Sequence, residues 1–228
     1  MDRRAAATRQ ALLDAAQTLF AERGFDAVAT RELAACAGAN IAAISYHFGG
    51  KRELYIETVR GAMSDPQIDV AWSRLEGPFK GKADAARALA EFVRGFLPNL
   101  LEDDRLNPCS CLMLREAMQP SEALDDVLHH FIEPREKAIE NAVRAARPEL
   151  KPKEARLCAR SLMAQILHQH LFRTFFEGLR GRPANTRDVR AITDHVIRFT
   201  LRGIGLRESQ IDKALGANAS SARTSTSS

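Results

Sequence analysis

Between residues 40 and 51 the chain gathers Asn40, Ala42, Ala43, Ser45, Tyr46, His47 and Lys51, a mixture of short hydrogen-bonding groups, bare methyls and two amphipathic rings. That mixture suits a surface that approaches a polyanion closely and still discriminates. Asn and Ser reach base edges, an alanine methyl touches a thymine methyl, and Tyr, His and Lys donate to phosphate oxygens. Thr30 belongs with them. Like Lys51 it falls near an expected helix N-terminus, where free N–H groups and the helix dipole favour a phosphate. The patterns of catalysis are missing from the sequence: it holds no Gly-rich phosphate loop, no G-x-S-x-G, no H-E-x-x-H and no recognisable carboxylate pair. We therefore expect no enzyme and no cofactor.

These residues need short, rigid elements to present them. Leu12, Leu13, Ala16, Leu19 and Phe20 form one apolar stripe at helical spacing, and Gly24 stands where a left-handed residue ends such a helix. Thr30 is placed to cap a short second helix, with Glu32 in its positive first turn and Leu33, not an acid, at the capping-box position. Gly38 breaks the pattern, Asn40 caps a third helix, and Gly49-Gly50 closes it. Lys51 opens a fourth, running to about Met63, and Asp65-Pro66 stops it. Short helix, glycine turn, short helix is the helix-turn-helix arrangement. On the third helix Ile41, Ile44 and Phe48 share a face that can pack on Leu33, Ala34 and Ala37, while Ala42, Ala43, Tyr46 and His47 point away. Arg3, Arg4 and Arg9 are expected to form a mobile basic arm.

The block Tyr46-His47-Phe48-Gly49-Gly50-Lys51-Arg52-Glu53-Leu54, preceded by Thr30-Arg31-Glu32-Leu33-Ala34 and Ala37-Gly38, resembles the TetR family of bacterial regulators over about residues 8 to 60. The resemblance puts phosphate contacts on Thr30, Tyr46, His47 and Lys51. It puts base readers on Asn40, Ile41, Ala42, Ala43 and Ser45. Ala39 and Ile41 depart from the common pattern, so Ile41 is not assigned to readout. Asn40-Ile41-Ala42-Ala43-Ile44, Pro120-Ser121 and Pro134 are similar to the CecR (YbiH) branch of that family. The resemblance implies an all-α protein with an N-terminal three-helix DNA-binding domain and a larger helical domain for effector binding and dimerisation. It also implies a cytoplasmic, ligand-released repressor that reads double-stranded operator DNA, a palindrome, as a homodimer. A three-helix protein-interaction module is the alternative; it would lack steep salt dependence on DNA.

Boundaries are expected at 1–50 for the DNA-binding domain, 51–206 for the effector domain and 207–228 for a flexible tail, with Ala217 to Ser228 disordered. Further helices are predicted at about 84–102, 108–118, 121–146, 153–178 and 186–205, with kinks or breaks at Pro98 and Pro134 and N-caps at Ser121 and Thr186. The resemblance assigns dimerisation to the helices at about 153–178 and 186–205. A small-molecule effector pocket is assigned to Phe92, Phe96, Met113, Arg115, Met163, His168, Phe172 and Phe176; for any one of them core packing is the simpler role, and Arg115 is expected to pair with Glu116 or another carboxylate. No metal site is expected, because Cys109-Ser110-Cys111 is too tightly spaced and His168 and His170 face different ways on a helix. The four cysteines are too few for a disulfide framework. No apolar run is long enough to span a membrane. The net charge of +4 is spread evenly, with 8 basic against 7 acidic side chains in residues 1–60. DNA affinity must then come from placement, not from total charge.

Overall fold

The computed structural model describes residues 3–63, 66–102 and 108–216. The expected end of the fourth helix at Asp65, the side chain of Cys109 and the segment 217–228 lie outside the described residues. Among those residues the protein is helical throughout, with no strand. The chain folds into two units, Met1–Asp65 with Asp104–Pro134, and Pro66–Asp103 with Arg135–Ser228.

The first unit begins with α1 (Arg3–Arg23), whose Leu12, Ala15, Ala16 and Phe20 are buried. Gly24, at φ +81°, ends it, its N–H donating to Phe20 O at 2.8 Å. Three short helices follow: α2 (Thr30–Cys36), α3 (Ala42–Phe48) and α4 (Lys51–Met63). The chain returns to this unit with α7 (Pro108–Met118), α8 (Leu124–Val127) and a π-helical turn, Leu128–Ile132. Leu112, Ala123, Val127 and Phe131 from that return share one core with Phe20, Phe25, Leu33, Ile44, Tyr55 and Val59. At its centre Tyr55 stands edge-on to Phe20 and Phe25, each ring 5.1 Å away.

The second unit comprises α5 (Pro66–Ser73), α6 (Lys82–Glu102), α9 (Glu133–Ala146, from Arg135), α10 (Pro152–Leu171), α11 (Arg173–Arg180), α12 (Thr186–Gly203) and α13 (Glu208–Leu215). Phe92, Leu97, Ile139, Leu162, Ile166 and Ile197 are among its fully buried side chains. Trp72 packs on Phe92 and Phe96 with ring centroids 4.6 and 5.5 Å away, and Arg135 covers its face at 5.4 Å.

Several expectations are corrected. Thr30 is the first helical residue of α2, and extended Ala29 is the cap, which puts Glu32 at the third position after it. Glu32 there accepts from the Ala29 N–H, half of a capping box, and the Arg23 guanidinium beside it holds its carboxyl below the usual range. Asn185, not Thr186, caps α12, in a reciprocal pair with Asp188: each side chain accepts from the other residue's N–H, at 3.0 and 2.9 Å. Pro98 lies inside unbroken α6, with Asn99 Nδ2 donating to Gly95 O. Pro134 follows a π-turn in which Glu133 N–H reaches back to Leu128 O, and the widened register accommodates a residue with no N–H to give. The helix expected over 153–178 breaks at Phe172 (φ −98°, ψ 13°). Arg3, Arg4 and Arg9 are part of α1 and form no arm.

Two helices were not anticipated. Pro66, expected as a stop, opens α5, where its missing N–H is spare in any case. Within the expected tail, α13 buries Ile211 and Ala214, and Arg198 reaches Asp212 at 3.1 Å.

Candidate nucleic-acid interface

Helix α3 is short, so its conformation depends on its ends. Asn40 Oδ1 accepts from Ala42 N–H at 2.9 Å, and Ile41 already has helical angles (φ −55°, ψ −34°), so Asn40 acts as the cap. Gly49, at φ +97°, closes the other end and donates to Ser45 O at 3.0 Å. Ile44 is completely buried and anchors the helix; Ala43 and Phe48 pack beside it, half-buried. The inward face is narrower than the sequence predicts, because Ile41 is 52% exposed and lies off the core.

The outward face carries Asn40, Ile41, Ala42, Ser45 and Tyr46, all exposed, with His47 half-buried at its edge. Tyr46 is 81% exposed, and its ring stands edge-on to that of His47 with 4.9 Å between centroids. An ordinary solvated helix would show long charged side chains here. This one presents small groups, a hydroxyl, an amide and two ring donors, and its backbone can come close to a flat or grooved partner.

Beside this face lies a depression of about 450 Å³, lined by Arg9, His47, Phe48, Arg52, Asp126 and His130 among others. Its walls are ion-paired. Arg9 meets Glu57 at 3.2 Å and lies over the Phe48 ring at 4.9 Å, and Arg52 meets Asp126 at 2.5 Å. The Arg52 hydrogen bond holds the Asp126 carboxyl below its ordinary range. Lys51 stands at the start of α4 as expected, but its ammonium folds back over the Phe25 ring at 4.2 Å. Burial there lowers its pKa from the usual lysine value, against the pull of Asp26 and Glu122.

The residues assigned to an effector do not form one group. Phe92, Phe96 and Met163 belong to the core of the second unit, the first two stacked at 5.2 Å. His168, Phe172 and Phe176 cluster at the surface of α10 and α11, the His168 ring 5.0 and 5.2 Å from the two phenylalanines. Met113 and Arg115 stand in the first unit. Arg115 is paired with carbonyls and not with a carboxylate: its Nε donates to Ala21 O at 2.7 Å and its Nη2 to Glu22 O, satisfying acceptors left open at the end of α1. Among the described residues no group of three His, Cys, Asp or Glu is arranged to hold a metal ion, and no helix is long and apolar enough to cross a membrane.

Sequence reading missed a polar cluster inside the first unit. Glu116, 4% exposed, accepts from Tyr55 OH at 2.9 Å and from Ser121 N–H and Oγ at 2.8 and 2.9 Å. Ser121 Oγ in turn accepts from Ala123 N–H at 3.1 Å within the turn before α8; the helix itself starts at Leu124 with Ala123 as its cap, so Ser121 is not the N-cap the sequence suggested. Nothing in one sequence links Tyr55 to Glu116, which is 61 residues away.

Burial, then the Glu116 charge, pushes the Tyr55 phenol well above the ordinary tyrosine range. The folded-state value is raised above the unfolded one, so this stabilisation is complete below about pH 10 and is lost as pH climbs towards the folded value. An alkaline titration should show tyrosinate absorbance for at most one of the two tyrosines while the helical circular dichroism is intact. Two ionised tyrosines in a folded protein would contradict the buried hydrogen bond.

A short capped helix with an exposed, uncharged outward face, seated on its neighbouring helices after a glycine turn, is the arrangement of a helix-turn-helix DNA-binding regulator. Residues 12–58 match the family described as bacterial regulatory proteins, tetR family, and residues 85–204 match the C-terminal domain of the HTH-type transcriptional dual regulator CecR. The chain belongs to the TetR family of transcriptional regulators, with a C-terminal domain of the CecR type. The CecR of Shigella flexneri is 33% identical over 132 residues, which are 55% of this chain and 58% of that protein. The match thus spans less than two thirds of that relative. A putative fatty acid metabolism regulator of Clostridium perfringens shares the fold at TM-score 0.61 and 20% identity, over 86% of this chain and all of the other. NalD, the secondary repressor of the MexAB-OprM multidrug efflux pump in Pseudomonas aeruginosa, does so at 0.56 and 23%, over 86% and 95%.

Proposed function

We propose that this regulator is a ligand-released repressor that binds a palindromic operator as a homodimer in the bacterial cytoplasm, with no catalytic activity of its own. The observation that carries the DNA reading is the outward face of α3, exposed from Asn40 to Tyr46 except at the half-buried Ala43 and the fully buried anchor Ile44. Asn40 and Ser45 read base edges, Ala42 and Ala43 permit close approach, and Tyr46 and His47 hold the flanking phosphates. Thr30 and Lys51 complete the phosphate set at the starts of α2 and α4; Lys51 takes part by swinging off the Phe25 ring.

An exposed stripe supports the dimer. Leu157, Ser161, Ala164, His168, Phe172, Phe175 and Leu179 follow one another along α10 and α11 at spacings of three or four, and Phe199 is exposed on α12. Exposed large apolar side chains grouped on neighbouring helices in this way are a usual mark of an interface. Two copies of α3 on a two-fold axis then read half-sites about one DNA turn apart. Since His168, Phe172 and Phe176 are on or beside this stripe, the effector seat narrows to the core around Phe92, Phe96 and Met163, on the second unit. The effector is a small molecule that favours one dimer geometry over another, with about 1–3 kcal/mol of coupling to DNA.

Selection of duplexes from a random library, followed by binding over a range of salt, tests the reading. A steep salt slope with a discrete footprint is expected. His47→Ala should weaken binding to every duplex by roughly ten-fold, whereas Ala43→Ser should change which duplex is preferred. Tyr46→Ala with undiminished affinity would remove the exposed face of α3 from the DNA.

A further inference from the structure

Glu116 lies on α7, outside the helix-turn-helix, yet its carboxylate is held by one donor from α4 and two from the turn that precedes α8. A carboxylate at 4% exposure is unfavourable unless its lone pairs are filled. Here they are filled by Tyr55 OH and by the N–H and hydroxyl of Ser121. Moving either partner leaves a buried charge unpaired, so the arrangement tolerates little displacement. The neighbouring Arg115 grips the end of α1 through the carbonyls of Ala21 and Glu22. Helix α7 therefore holds α1 and α4, two of the three helices on which α3 rests.

Apolar contact alone would keep α7 against this core, and Leu112 supplies it. Apolar surfaces, however, permit sliding and rotation, whereas several directional bonds to one carboxylate fix a register. We propose that Glu116 is a positioning residue for DNA recognition: by clamping Tyr55 it sets α4 against α1, and thereby the bearing of the reading face of α3. This rests on the assignment of α3 to DNA.

The test uses the full chain and a duplex selected by the wild-type protein from a random library. Glu116→Gln, Tyr55→Phe and the double variant are compared at a temperature where circular dichroism shows each to be folded. Each single variant should bind the duplex on the order of ten-fold more weakly, at an unchanged salt slope because no phosphate contact is lost. The double variant should bind no more weakly than the worse single one, since both break the same clamp. A stabilising role alone would lower the melting temperature and leave the affinity of folded protein untouched. Wild-type affinity in the folded variants, or losses that simply add, would overturn the proposal. If Glu116→Gln does not fold, Tyr55→Phe, which removes one hydroxyl, decides on the same affinity measurement. A wild-type protein that selects no duplex would overturn the DNA assignment and this inference with it; wild-type binding beside unaffected variants overturns the positioning role alone.

Discussion

In the proposed dimer, Phe175→Glu should separate the protomers and lower affinity for the proposed palindromic duplex by about 100-fold or more. Phe175 is 69% exposed within a protomer, so the substitution removes little intrachain packing and the variant should melt near the wild-type temperature. The effect falls on association. An aromatic anchor at the centre of an interface is worth about 2–4 kcal/mol, and in a two-fold contact each substitution is felt twice. Two introduced carboxylates across the proposed interface add repulsion. Sedimentation at a protein concentration where the wild type is dimeric reads the first effect directly. The second follows because a monomer engages one half-site, and the gain from joining two binding events is lost. Phe199→Glu on α12, at 56% exposure, should reproduce both results. A variant that remains a dimer as tight as the wild type would place the interface elsewhere.

Much of the outward face of α3 was legible in the sequence because its exposure depends on local rules. Helical periodicity puts Ile44 inside and Tyr46 outside, Asn40 caps through its own side chain, and glycines mark both turns. Ile41 misled because a helix wheel treats the first turn like the rest, whereas at the very start of a seven-residue helix a side chain can clear the neighbouring helices altogether. Caps slipped by one residue at Thr30 and Thr186 because Ala29 and Asn185 have the extended backbone a cap needs, a property that side-chain preference predicts only approximately. The break at Phe172 carries neither glycine nor proline and left no signal.

The parts least legible in the sequence are those set by distant packing. The expected cut after residue 50 followed the family's DNA-binding motif. In the folded chain, however, α4 and the stretch 108–134 belong with α1 to α3. Leu112, Val127 and Phe131 look, in sequence, like any helical core residues; which core they join is decided by long-range packing that periodicity cannot specify. The effector assignment scattered for the same reason. Met113 and Phe92 have similar chemistry and lie in different units. Polar partners were no easier: Arg115 was expected to pair with Glu116 or another carboxylate, and it is satisfied by two carbonyls of α1 instead.

This discontinuity makes a second large effect predictable. Leu112 is 1% exposed and fills the core that also contains Phe20, Tyr55 and Val59. Leu112→Ala should cost about 3 kcal/mol from lost burial and the residual cavity, a large fraction of the roughly 5–15 kcal/mol that holds a domain folded. The loss should be local. The protein's one tryptophan, Trp72, packs on Phe92 and Phe96 in the second unit, so its fluorescence follows that unit, whereas DNA binding follows the first. In denaturant, DNA binding by Leu112→Ala should fall at a lower midpoint than in the wild type, and the Trp72 transition should move less. A residue well outside the helix-turn-helix would then control the stability of the reading head. If Leu112→Ala instead shifted Trp72 fluorescence and spared DNA binding, α7 would have to be reassigned to the second core.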